Sequence, residues 1–286
     1  QEAAKFEAEA AAQKQQALVL DSTSLFFGAN QGTEEFTTLE NNLVKVTISN
    51  KGGRVVSATL KEYKDQQGEP LILFNEEESA MNFAFEGKNE NILTEELFFQ
   101  PMNVSDSSVT MRLATTGAGY IDFAYRLLPE SYMLDFSIRA NGMQNFFPAA
   151  QKSLNIEWWQ RAKKKKKGFD FEQRYTSLTY KLVDDGSDYL SEFKEEKETF
   201  EEPLEWIAFK NQFFSSVLIA QNNFENACNS IWVLTTSRLC LRATTCASIR
   251  TKTPNWKTWY IWVGHSSVGL TVGLPSTCST GYRVGA

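Results

Sequence analysis

Along most of the chain, apolar and polar residues alternate in short runs, a period of two that turns successive side chains to opposite faces of a strand. Val44, Val46 and Ile48 alternate with Lys45, Thr47 and Ser49. Asn50-Lys51-Gly52-Gly53 then supplies residues that tolerate positive φ, and 55–60 resumes the run, which predicts a β-hairpin. Residues 71–74, 109–113, 120–127 and 132–140 predict further strands. In the last of these, Tyr132, Leu134, Phe136 and Ile138 oppose Met133, Asp135, Ser137 and Arg139, so that one face is apolar. Residues 156–159, 175–182 and 206–220 complete a series of roughly fourteen or more strands with no amphipathic helix between them, the pattern of an all-β, large antiparallel sandwich.

Ahead of the strands, residues 1–17 are rich in Ala, Glu, Gln and Lys, and Phe6, Leu18, Val19 and Leu20 are the large apolar residues of 1–20. Such a stretch predicts a solvated helix or semi-rigid spacer that packs little. Asp21-Ser22-Thr23-Ser24 closes it with turn and cap chemistry. Three parts are therefore expected: a helical or extended tether at 1–20, a sandwich at 21–226, and a compositionally different tail at 227–286.

Composition sets that tail apart. All 35 Asp and Glu and all 21 Phe precede residue 227, whereas the last sixty residues hold six basic residues and no acidic one. Cys228, Cys240, Cys246, Cys278 and His265, with four of the seven Trp, lie in the tail. Normal usage places about a quarter of residues as charged, with both signs, so a stretch of this length without a carboxylate does not continue the same protein pattern. At 42% hydrophobic residues the chain has enough apolar material for a core, and the formal charge of −6 argues against nucleic acid as a partner. No run of eighteen apolar residues and no intact signal peptide is found, so neither a membrane span nor a leader is expected in the sequence itself.

Hydrolytic or transfer chemistry needs a nucleophile, a base near neutral pKa or a metal. Residues 1–226 contain no His and no Cys, and no nucleophile elbow, P-loop or dinucleotide turn. The cysteine spacings match no metal pattern. No catalytic residue, no cofactor site and no metal site is therefore assigned, and the chain is not expected to be an enzyme. Lys163 to Lys167, preceded by Arg161, and the acidic stretch Glu195, Glu196, Glu198, Glu201 and Glu202 predict solvated surfaces, although a lysine run also suits anionic lipid. Trp158 and Trp159 are adjacent, so a strand buries at most one of them in a given core.

Several segments, in order, resemble one family. Leu39-Glu40-Asn41-Asn42-Leu43-Val44-Lys45-Val46-Thr47-Ile48-Ser49-Asn50-Lys51-Gly52-Gly53-Arg54-Val55 and Leu60-Lys61-Glu62-Tyr63-Lys64 resemble the opening of the first periplasmic domain of the YidC family of bacterial membrane protein insertases. Phe171-Glu172-Gln173-Arg174-Tyr175-Thr176-Ser177-Leu178-Thr179-Tyr180-Lys181 resembles a later segment of it. Trp206-Ile207-Ala208-Phe209-Lys210-Asn211-Gln212-Phe213-Phe214-Ser215-Ser216-Val217-Leu218 is the most specific match. The resemblance spans about 21–226 and has the flavour of the Bacteroidetes branch. It implies a β-supersandwich of the galactose mutarotase-like kind, facing the periplasm and tethered to the inner membrane through transmembrane helices missing from this sequence. It further implies a role in insertion and folding of inner-membrane proteins, with nascent membrane proteins and Sec translocon components as partners. The family's insertion groove lies in those helices, so no insertion residue carries over. Mutarotase-like enzymes use histidine and glutamate, and the missing histidine implies that the fold is kept without the chemistry. A carbohydrate- or lipid-binding sandwich and a mutarotase-like epimerase are the alternative readings.

The tail departs from the resemblance. Back-translated and read one base later, 262–268 can spell Gly-Trp-Ala-Ile-Leu-Arg-Trp, similar to the approach to the family's second membrane helix. Residues from about 227 are thus expected to be an out-of-frame reading, and the adenine-rich codons of 163–167 are a second place for a slip. A protease-resistant body at 21–226 with a cleavable tail is the corresponding expectation.

Overall fold

Strands dominate because β-branched and aromatic residues recur with a period of two while Gly, Asn, Asp and Ser break the runs. The computed structural model describes residues 22–65, 67–148, 153–161, 177–191, 196–210, 213–234, 240–248 and 255–265. The spacer expected at 1–20 and the lysine run at 163–167 lie outside them.

A four-stranded antiparallel sheet comes first, in the order β1 (Phe36–Glu40), β2 (Val44–Ser49), β3 (Val55–Lys64) and β4 (Pro70–Phe74). The predicted hairpin is β2 and β3, and its turn uses Gly52 at φ 77° and Gly53 at φ 60°. A side chain at Gly53 would sit 2.9 Å from the Phe99 ring, so both the backbone and the space require glycine there. Val44, Val46 and Ile48 point inward, as their alternation predicts.

The remaining strands are β5 (Ser79–Glu86), β6 (Asn91–Leu93), β7 (Gln100–Met102), β8 (Ser108–Ala114), β9 (Tyr120–Leu127), β10 (Met133–Asn141), β11 (Ser153–Arg161), β12 (Ser177–Leu182), β13 (Ser187–Ser191), β14 (Glu196–Thr199), β15 (Leu204–Lys210), β16 (Phe214–Leu234), β17 (Cys240–Ser248) and β18 (Asn255–His265). They form one sheet in the order β6-β5-β11-β17-β16-β18-β10-β9-β8-β7, with β12 to β15 branching from β16. Short 3-10 turns at Phe27–Asn30 and Thr94–Glu96 are the helical elements among the described residues.

That sheet curls back on itself. Five strands lie between β5 and β9 in hydrogen-bonding order. In a flat sheet β5 and β9 would stand about 29 Å apart, at about 4.8 Å per strand. Yet the rings of Phe83 on β5 and Phe123 on β9 are 4.9 Å apart, centroid to centroid. Phe123 also meets Phe99 at 4.8 Å, Phe136 at 5.6 Å and Phe85 at 6.3 Å, so a knot of phenylalanines fills the space between the layers. Each buried ring contributes about 2–3 kcal/mol through area removed from water. This is the large antiparallel β-sandwich that the alternation predicts.

The run at 206–220 is not one strand. It divides into β15 and β16, which pair antiparallel from Lys210 opposite Ser215 to Leu204 opposite Phe224. In the sequence, the polar Lys210-Asn211-Gln212 interrupts the apolar run. β16 then changes partner along its length, its first half pairing with β18 and its second half, from Phe224, with β17. Asn223 at φ 62° and a register shift after Glu225 mark the handover. The backbone of β17 and β18, within the stretch whose composition is aberrant, pairs with β11, β16 and β10. A ladder is made by backbone groups whatever the side chains, so this pairing bears on position and not on reading frame.

Candidate functional site

The face of β8, β9 and β10 turned away from the phenylalanine core carries charge in registered rows. Arg112, Asp122 and Arg139 are cross-strand neighbours, as are Ser108, Arg126 and Asp135, with Thr110, Ala124 and Ser137 between them. Arg112 grips Asp122 with both guanidinium arms, at 2.7 and 2.8 Å, and lies 3.7 Å above the Tyr120 ring. Arg126 donates to Asp135 at 2.5 and 3.1 Å. Elsewhere Lys61 pairs with Glu40 at 2.7 Å, Lys51 with Glu96 at 2.8 Å and Lys181 with Glu205 at 2.6 Å. The Lys61 ammonium, by its hydrogen bond, holds the Glu40 carboxyl below its ordinary range. These carboxylates are held in place by cationic partners, which suits surface complementarity.

A second feature lies at the rim where β3 ends, β9 turns into β10 and β16 begins. Tyr63, Tyr132 and Phe214 are half-buried and rest on the core, whereas Phe213 is 50% exposed. The Tyr63 and Phe214 rings meet edge to face, 5.1 Å apart at 83°, and Phe213 stands 6.5 Å from Phe214 at 65°. The Tyr132 hydroxyl donates to the Glu62 carboxylate at 2.9 Å. Partial burial, reinforced by Glu62 and by the neighbouring Tyr63 phenol, pushes the Tyr132 phenol well above its ordinary value. Periodicity marks Tyr132 as a strand position but gives no hint of this convergence, because the three segments meet only in the folded chain.

The residues singled out in the sequence fall in ordinary places. Trp158 is buried with its ring 4.1 Å from Phe209, and Trp159 is half-buried on the other face with the Arg161 guanidinium 5.1 Å from its ring. Glu198 accepts a hydrogen bond from the Tyr180 hydroxyl at 2.8 Å, and Glu201 and Glu202 are exposed in a turn. Glu196 lies on β14, and Glu195 lies outside the described residues. Cys228 is on β16, Cys240 and Cys246 are on β17, and His265 ends β18, while Cys278 is outside the described residues. Among the described residues, no group of three or more His, Cys, Asp and Glu converges as a metal-ion cage.

Comparison with known proteins gives one consistent answer. The family model of the YidC periplasmic domain matches residues 37–241. A curated relative from Phocaeicola vulgatus, "Membrane protein insertase YidC", is 65% identical over 227 residues, covering 79% of this chain and 37% of that protein. One of the same name from Bacteroides fragilis is 48% identical over 222 residues, covering 78% of this chain and 36% of that protein. The chain thus spans little more than a third of the length of these relatives. Among solved structures, a galactose mutarotase-like protein from Lactobacillus casei aligns with a TM-score of 0.50 at 10% identity, covering 81% of this chain and all of that one, a likeness of fold alone.

Proposed function

Since the chain belongs to the family of YidC periplasmic domains, we propose that it serves a membrane protein insertase as a non-catalytic docking body on the periplasmic side of the inner membrane, meeting nascent membrane proteins or components of the Sec machinery. The observation that carries this reading is the absence of histidine from the first 226 residues, beside a charged sheet face on which Arg112 holds Asp122 and Arg126 holds Asp135. Mutarotase-like enzymes use histidine and glutamate, and residues 1–226 hold no histidine to fill the first of those roles. Rows of fixed charge on a rigid sheet suit recognition, since electrostatic complementarity sets partner choice and encounter rate.

The same proposal divides the chain into a tether at 1–20, a sandwich at 21–226 and an out-of-frame tail from about 227. The absence of any carboxylate after residue 226 supports the last part.

Site-specific photocrosslinking tests the docking role in an insertase carrying this domain. A photoreactive residue replaces exposed Phe36 or Val104, or Arg139 on the charged face, while a membrane protein is arrested during insertion. Adducts to the nascent chain or to a Sec component are expected from at least one position. Absence of adducts from all three, together with saturable sugar binding by the domain, would favour the carbohydrate-binding reading instead.

A further inference from the structure

We infer that the open edge of β1 binds an extended polypeptide segment with basic residues flanking apolar ones, which joins the four-stranded sheet as an added antiparallel strand. The direction of the backbone groups is the first reason. β1 pairs with β2 from Phe36 opposite Ser49 to Glu40 opposite Lys45. Just beyond those ends, the Asn50 N–H donates to the Glu35 carbonyl at 2.9 Å and the Asn41 N–H to the Val44 carbonyl at 3.1 Å. Antiparallel ladders bond every second residue. Glu35, Thr37, Leu39 and Asn41 therefore face β2, and the N–H and C=O groups of Phe36, Thr38 and Glu40 point out of the sheet. Glu40 shows this directly, since its N–H donates to the Asp106 carbonyl at 2.8 Å. The outward groups of Phe36 and Thr38 have no partner among the described residues, and both side chains are exposed. They stand two residues apart, the repeat that an added strand matches.

What this edge lacks is the second reason. Sheets protect their edges with proline, lysine or very short strands. β4, at the other edge of the same sheet, opens with Pro70, and β7, at one end of the large sheet, is three residues long and contains Pro101. β1 has neither proline nor lysine. Its charge is acidic instead: Glu34 and Glu35 precede the strand and Glu40 ends it. Lys61 holds Glu40 at 2.7 Å, whereas no ion pair reaches Glu34 or Glu35 among the described residues. A second copy is a poor occupant. Antiparallel pairing of two β1 edges that set Phe36 opposite Thr38 would also set Glu34 opposite Glu40, and like charges directly opposite destabilise a ladder. Basic side chains suit the same seam, and an apolar residue between them covers Phe36, which is 54% exposed.

The inference stands apart from the insertase role, because its test uses this chain and a synthetic peptide and not the crosslinked insertase. The full 286-residue chain is titrated with the acetylated, amidated peptide Arg-Thr-Val-Thr-Val-Thr-Arg, and backbone amide exchange is followed residue by residue. Saturable binding with slowed exchange at Phe36 and Thr38 is expected. Valines opposite Phe36 and Thr38 turn their N–H groups to β1, and the threonines turn theirs to solvent. N-methylation of the valines should therefore abolish binding, and N-methylation of the threonines should spare it. Thr38→Pro removes an outward N–H and no bond to β2, and should weaken binding about fivefold or more, the scale of one net hydrogen bond. Unaltered exchange at Phe36 and Thr38 would overturn the inference, as would equal loss from both N-methylated forms or equal binding of the peptide with Glu in place of Arg. Concentration-dependent protection of the two amides without peptide would overturn it too, assigning the edge to a second copy.

Discussion

The Tyr125 hydroxyl on β9 donates a 2.7 Å hydrogen bond to the Gly53 carbonyl in the β2–β3 turn, tying the four-stranded sheet to the large one across the core. Tyr125→Phe leaves that carbonyl without its partner and should cost about 1–3 kcal/mol. Gly53→Ala adds a Cβ 2.9 Å from the Phe99 ring at a φ of 60°, and should destabilise more than Gly28→Ala, where nothing lies within 4 Å. Urea denaturation of the three variants, with unchanged slope, measures the order.

Phe123 sits at the centre of the aromatic knot, touching Phe83, Phe85, Phe99 and Phe136. Phe123→Ala should cost about 3–5 kcal/mol, because the rings around it belong to both layers and cannot all relax into the space left behind. Phe36→Ala, at a side chain 54% exposed, should stay within about 0.5 kcal/mol. Equal effects in a denaturation experiment would mean that the layers do not meet at Phe123.

Alkaline stability follows from two phenols. Burial pushes Tyr125 far above its ordinary value of 10.0, and partial burial followed by Glu62 does the same to Tyr132. The folded state holds these protons after the unfolded chain has lost them. Their stabilisation is therefore complete below pH about 10 and declines as pH rises beyond it. Ultraviolet titration at the phenolate band should find Tyr125 and Tyr132 silent until the chain unfolds. Nine tyrosines titrating together below the unfolding transition would contradict this.

Much of the sandwich was legible because one-sided burial leaves a period-two trace. The segments 44–48, 120–127 and 132–140 overlap β2, β9 and β10 for that reason. β5 left no such trace. Its Ser-Ala-Met-Asn-Phe-Ala-Phe run is buried almost throughout, so no polar face exists to alternate with. The short β6 and β7 carry three residues each, too few for a period to register. The rim cluster was hidden for a different reason: Glu62 and Tyr63, Tyr132, and Phe214 are far apart in sequence, and only the folded chain brings them together.

The proposed break in reading frame near residue 227 has a direct consequence. Resequencing the coding DNA should reveal a one-base slip there, and restoring the frame should return carboxylates to the chain and raise its thermal midpoint. Better-matched side chains would then occupy the positions of β17 and β18 in the middle of the sheet. An uninterrupted frame encoding the same residues would refute the slip. Limited proteolysis adds an independent reading, since a stable fragment reaching residue 286 contradicts a cleavable tail.

Polarimetry on freshly dissolved aldoses tests most directly whether this mutarotase-like fold has been retained without its chemistry. The account predicts a rate of optical change that does not respond to added protein at any concentration. A rate rising in proportion to protein, and abolished by substituting a single carboxylate, would contradict it.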